Sequence, residues 1–108
     1  MKILTSYSEG RLTVYLVGEL DHHEAKVAVT GVCESIDTYL PKELVLDLSE
    51  LSFMDSSGIA VVIAASRRVS FCGGSMLIVN PRQQPMKVLT AAGIDRIVPV
   101  FAKGEVTT

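Results

Sequence analysis

Residues 44–58 read LVLDLSELSFMDSSG, and the fold is decided in this stretch. Glu43 to Leu48 has the length and composition of a buried strand, and the residues after it are polar turn material. From Ser56 to Phe71 the chain is apolar on almost every face until Arg67, which predicts a helix packed against a sheet. In α/β folds, ligands and partners meet the loops beyond the carboxyl ends of parallel strands, and Asp55, Ser56 and Ser57 stand at such a place. On spacing alone the same residues read as helix caps, because Asp and Ser oxygens accept the orphan amides of a first turn.

Working outward, Lys2 to Tyr7 and Leu12 to Val17 are strand-like runs joined by the turn residues Ser8 to Arg11, a predicted hairpin. Asp21, with Glu24 three positions on, forms an acidic variant of the capping box and opens a first helix. Its apolar positions, from Ala25 through Val32 and Ile36 to Leu40, keep helical spacing until Pro41 ends it. After Ser56–Phe71, Gly73-Gly74 turns the chain into a strand over Ser75–Val79. Asn80-Pro81 reads as an N-cap followed by a first-position proline, opening a third helix that Gly93 stops. Ile97 to Phe101 is a last strand, with Pro99 tolerable only at a sheet edge. Strands and helices that alternate through short links require crossovers, hence a largely parallel sheet with one antiparallel strand at its start.

With 108 residues, 48% of them hydrophobic, the chain suits one core and one domain. Charged residues make up 20% and the net charge is -2, without the basic excess that direct nucleic-acid binding needs. Residues 19–55 carry nine of the twelve acids against Lys26 and Lys42, whereas residues 56–103 carry six bases and the single acid Asp95. The longest apolar run, Ile59 to Ala65, is far short of a membrane span, and the polar turn after MKIL leaves no signal-peptide core, so a cytoplasmic chain is expected. Cys33 and Cys72 have no metal-ligand spacing and are expected to be free thiols.

Enzymatic readings find little support. A nucleophile elbow needs glycine two residues before the serine, and Met54 stands there instead. His22 or His23 could serve Ser56 as a base in a small hydrolase, but nothing in the sequence fixes either against it. The two histidines read as solvated first-turn residues; with no second ligand cluster, no metal is expected, and no cofactor either. Gly73-Gly74 leads into a strand and not a helix, so it is no phosphate loop.

Gly18-Glu19-Leu20-Asp21-His22-His23, followed by Leu46-Asp47-Leu48 and by Leu51-Ser52-Phe53-Met54-Asp55-Ser56-Ser57-Gly58, resembles the STAS domain. The likeness is to the sporulation and general-stress anti-sigma factor antagonists of Gram-positive bacteria, and it covers nearly all of residues 1–108, including the closing Ala-Gly-Ile-Asp-Arg-Ile. It implies a mixed sheet of four to five strands with helices mainly on one face. It also implies a regulatory protein and not an enzyme: the unmodified antagonist binds an anti-sigma factor and frees the sigma factor. That anti-sigma factor is a serine kinase that uses ATP to phosphorylate the first serine of Asp-Ser-Ser-Gly, here Ser56, and a serine phosphatase removes the mark. Asp55, Ser57 and Gly58 would then share the contact loop with Ser56, and Glu19 and Asp21 a neighbouring acidic loop facing the partner. Only Ala102 to Thr108 follow the last strand, where the family has a fuller final helix.

No base is evident in the sequence beside Ser56 to pair with a phosphate, while Glu19, Asp21 and Asp55 are expected close to it. Two other functions fit the sequence. One is a STAS interaction module of a larger signalling or transport assembly that is never phosphorylated; the other is a small hydrolase using Ser56.

Overall fold

Leu12, Val14 and Leu16 alternate with Thr13, Tyr15 and Val17 along one strand, and that alternation gives the sheet a buried and a wetter side. The computed structural model describes residues 1–102, so the tail comparison made on the sequence falls largely outside the described residues. Its strands are β1 (Lys2–Ser8), β2 (Arg11–Leu20), β3 (Glu43–Asp47), β4 (Leu51–Met54), β5 (Ser75–Val79) and β6 (Val100–Phe101). Its helices are α1 (His22–Tyr39), α2 (Ser57–Phe71) and α3 (Gln83–Ala91), with a short 3-10 turn at Ile94–Arg96.

The sheet order is β1-β2-β3-β5-β6; β1 pairs antiparallel with β2, and every other neighbouring pair is parallel. This is the mixed architecture expected from a hairpin followed by alternating strands and helices. The inward residues of β2, β3 and β5 meet Ala28, Val32 and Ile36 of α1 and Val61, Val62, Ala65 and Val69 of α2 in one core. α1 lies against β1 and β2, α2 against α1 and β5, and α3 against β4. The two large helices are parallel to each other, tied near their C-terminal ends by Arg68 Nη1, which donates to both Asp37 oxygens at 2.7 and 3.0 Å. Cys33 is buried and Cys72 half-buried, both as free thiols.

Three local expectations need correction. Leu51–Met54, read as turn, is a short strand that pairs in parallel with Gly18–Leu20 at the far end of β2, off the five-strand path β1-β2-β3-β5-β6. It escapes a pattern search because Leu51 and Met54 are buried while Ser52 and Phe53 are exposed, which is not a period of two. The third helix starts at Gln83 and not at Pro81: Asn80 takes a left-handed φ of 58° and its amide reaches Asp47 Oδ2 at 3.4 Å, away from any helix amide. The last strand is two residues long, because Ile94–Arg96 form the 3-10 turn and Ile97–Pro99 run unpaired as a strand, although the Pro99 carbonyl still accepts Ile78 N–H at 2.9 Å.

The Gly73-Gly74 turn behaves as read, for a steric reason. A Cβ on Gly74 would lie 2.6 Å from the Pro41 carbonyl oxygen and 3.0 Å from that of Lys42, both backbone atoms. Here the exit of α2 passes directly over the exit of α1. Gly74→Ala is therefore expected to lower stability by about 1–3 kcal/mol, seen as a lower urea midpoint at unchanged m-value; an unchanged midpoint would mean that the two turns can separate freely.

Candidate functional site

The carboxyl ends of β2 and β4 deliver the chain into the N-termini of α1 and α2 side by side. Asp21 is the N-cap of α1, its Oδ1 accepting His23 N–H at 3.0 Å and Glu24 N–H at 3.1 Å. Half of the expected capping box thus forms; the Glu24 carboxylate lies instead 3.8 Å from the N-terminal amine. Asp55 does the equivalent for α2, its Oδ1 accepting Ser57 N–H at 2.8 Å, while its other oxygen crosses to His22 N–H at 3.1 Å. One carboxylate therefore holds the first turns of both helices. The Asp55 N–H donates to the Leu20 carbonyl at 3.2 Å, which continues the β2–β4 pairing up to the loop.

β4 is held from its other side by a contact that no local sequence signal announces. The Gln84 side chain, projecting from α3, accepts Met54 N–H at 2.8 Å and donates to the Met54 carbonyl at 2.8 Å. The amide replaces a neighbouring strand for one residue and fixes the last position before Asp55. Gly58 is buried, and a Cβ there would collide with Met54 Cγ and lie 2.7 Å from its Sδ, so this glycine serves close packing of α2 on β4 and presents no free surface.

Between these fixed points Ser56 is exposed, and among the described residues its hydroxyl has no hydrogen-bond partner. Ser57 is half-buried. Ser56 opens onto a shallow groove of about 450 Å³ between α2 and α3, lined by Ile59, Lys87, Val88, Ala91 and Ala92 together with the serine itself. A second depression of about 420 Å³, lined by Gln83, Met86, Lys87, Thr90 and Ala91, continues along α3. The surface around Ser56 is thus apolar, and the stem of Lys87, carried there on α3 from 31 positions along the chain, lines the same groove.

Of the acidic residues, Asp21 and Asp55 meet at the helix starts through the shared first turn of α1, as expected. Glu19 is exposed, but it belongs to β2, paired with Phe53, and not to a loop. The His22 and His23 rings touch each other edge to face with centroids 5.7 Å apart, and neither bonds the Ser56 hydroxyl. No group of three or more potential metal ligands occurs among the described residues. No described helix is long and apolar enough to cross a membrane.

The sequence matches the STAS domain family over residues 2–105. The chain belongs to the STAS family. Among curated relatives, this STAS domain is 31% identical over 101 residues to an anti-sigma F factor antagonist of Paenibacillus polymyxa, covering 94% of this chain and 86% of that one. It is 26% identical over 98 residues to the anti-sigma-B factor antagonist of Bacillus subtilis (strain 168), covering 91% and 88% of the two chains. Among solved structures, the anti-sigma factor antagonist SpoIIAA in its unphosphorylated form superposes with a TM-score of 0.78 at 23% identity, over 94% of this chain and 90% of that one. The Bacillus cell fate determinant SpoIIAA in its phosphorylated form gives 0.69 at 23% identity, over 94% and 93%. At that identity the two structures speak for the fold, and the STAS fold is the one described above.

In this STAS domain the Asp55 carboxylate ranks as a scaffold group before anything else. Asp55→Ala removes both helix-end bonds and is expected to cost about 2–3 kcal/mol, while Asp55→Asn keeps one acceptor oxygen and should lose about half of that. Denaturant unfolding of the three proteins checks the order; equal midpoints for the wild type and the asparagine variant would mean that the second of the two helix-end bonds contributes nothing.

Proposed function

We propose that the chain is an anti-sigma factor antagonist whose binding surface is the Ser56 loop with the α2–α3 groove, and that a phosphate on Ser56 turns binding off. The observation that carries this reading is the contrast between Ser56 and its neighbours. The Asp55 carboxylate and the Met54 backbone groups are engaged within the fold, whereas the Ser56 hydroxyl is exposed and unbonded. The likeness to curated anti-sigma factor antagonists supports the class of partner.

In the proposed cycle the anti-sigma factor, itself a serine kinase, docks on the apolar groove, and the unmodified antagonist thereby displaces the sigma factor. Ser56 Oγ then attacks the γ-phosphorus of ATP held by the kinase, ADP leaves, and the serine proton passes to a base of the kinase. The phosphate brings about -1.5 to -2 charges at neutral pH. Placed in a largely apolar interface, such a charge must be desolvated on binding without a counter-charge prepared for it on the anti-sigma factor, at a cost of several kcal/mol. A serine phosphatase hydrolyses the ester and restores binding. The fold itself tolerates the mark, because the N-terminus of α2 is a favourable place for an anion. The protein has no catalytic role in this cycle; it is the substrate of one enzyme and then of another. Asp55, Ser57 and Glu19 border the surface, and the cytoplasm is the compartment where this exchange takes place.

Calorimetry against the anti-sigma factor of the native host, with ADP present, tests the reading. Ser56→Ala should bind within roughly tenfold of the wild type, since one hydroxyl contact is worth about 0.5–1.5 kcal/mol. Ser56→Asp should bind more weakly and the phosphoprotein weakest of all. Equal affinity of phosphorylated and unmodified protein would overturn the switch, and phosphate found on Ser57 would overturn the site. Failure of the kinase to modify the chain while still binding it would point to a constitutive STAS interaction module.

A further inference from the structure

Lys87 stands in the groove that Ser56 opens onto, and we infer that it receives the phosphate of modified Ser56, drawing that phosphate across the apolar groove between α2 and α3. The inference rests on the proposed phosphorylation of Ser56 and adds what the modified side chain does next. Ser56 and Lys87 line one depression together with Ile59, Val88, Ala91 and Ala92. Lys87 is exposed and forms no ion pair with any described carboxylate. The other basic side chain near the start of α3 is engaged: Arg82 donates to the Ser49 carbonyl at 2.8 Å and lies 3.9 Å from the Glu50 carboxylate.

Of the other titratable groups around the loop, the exposed His22 and His23 rings lie against each other at the start of α1, and the carboxylates favour the same direction. Both Asp55 oxygens accept backbone N–H groups of Ser57 and His22, and Asp21 Oδ1 accepts those of His23 and Glu24, so these carboxylates stay fixed at the helix ends. With those carboxylates fixed, a phosphate on Ser56 shares its groove with Lys87, whose exposed, unpaired ammonium can swing to it on its flexible stem. Lysine suits the task because its long flexible stem delivers a compact charge with three donors over a range of geometries. An apolar lining of Ile59, Val88 and Ala91 beneath the pair lowers the local dielectric and strengthens it. The off state then has two parts: the added charge, and a phosphate–lysine pair lying over the apolar surface that the unmodified protein offers to its partner.

Phosphoserine incorporated genetically at position 56 makes the test independent of any kinase. A 31P NMR titration of that protein in its Lys87 and Lys87→Met forms reads the second ionisation of the phosphate, which falls near pH 6 when unpaired. An ammonium partner favours the dianion, so the pKa should rise by about 0.3–0.7 unit in Lys87→Met, return in Lys87→Arg, and lose this difference in 1 M salt. The Ile59 and Val88 methyl resonances should shift on phosphorylation in the Lys87 protein and far less in Lys87→Met. The same phosphate pKa in both forms would overturn the pairing and leave the proposed switch standing. If instead the host kinase never marks Ser56, the switch fails while the pairing measured on the encoded phosphoserine remains.

Discussion

The Asp55 carboxylate, shared between His22 N–H and Ser57 N–H, is the constraint on which the rest of the site depends. α1 and α2 run parallel, so their positive N-terminal ends come together, an arrangement that repels unless an anion sits between them. Asp55 is that anion for both helices, and Asp21 adds a second at the start of α1. At the opposite ends the Arg68–Asp37 pair supplies the matching tie. The helix pair is thereby fixed in translation as well as in angle, and Ser56, the residue between Asp55 and the first turn of α2, has little freedom left in its backbone. A side chain that must be found by an enzyme and by a binding partner in the same place gains from such a mount.

The second support comes from underneath. β4 is four residues long and pairs with β2 on one side; left alone on the other, Met54 would have unpaired backbone groups at the base of the loop. Gln84 satisfies both, and because it projects from α3 it also sets how far α3 stands from the loop. The groove beside Ser56 is the consequence: its walls are α2, whose position Asp55 sets, and α3, whose position Gln84 sets. Loop and groove therefore form one rigid surface, and a phosphate acts on that surface by charge and coverage without any need to rearrange the fold.

Much of this was legible in the residues. The hairpin, three helices and parallel core strands followed from alternation, from Asp21 and Pro41 at the ends of α1, and from the Gly73-Gly74 turn, because each is a local pattern with a local cause. The position of Ser56 at an exposed helix start was legible for the same reason. What escaped depends on contacts between distant residues. Leu51–Met54 becomes a strand only because Gly18–Leu20 offers it an edge. Asn80 gives up the capping role its sequence context suggests because its backbone turns left-handed and its amide lies beside Asp47. Lys87 and Gln84 lie some 30 positions from Ser56 and Met54, and only the packing of α3 on β4 brings them to the loop. Glu19 was placed in a loop because β2 reads as ending at Val17, whereas the glycine at position 18 takes φ 110° and carries the strand through a bulge.

Amide hydrogen exchange on the unmodified protein and on the Ser56-phosphorylated protein, each alone and with the host's anti-sigma factor, tests the central claim most directly. A rigid surface masked by a phosphate predicts the same exchange pattern for both free proteins. With the partner added, residues 55–59 and 86–92 should become protected in the unmodified protein and stay unprotected in the phosphoprotein. Equal protection of both forms, or protection confined to the sheet face away from the helices, would contradict it.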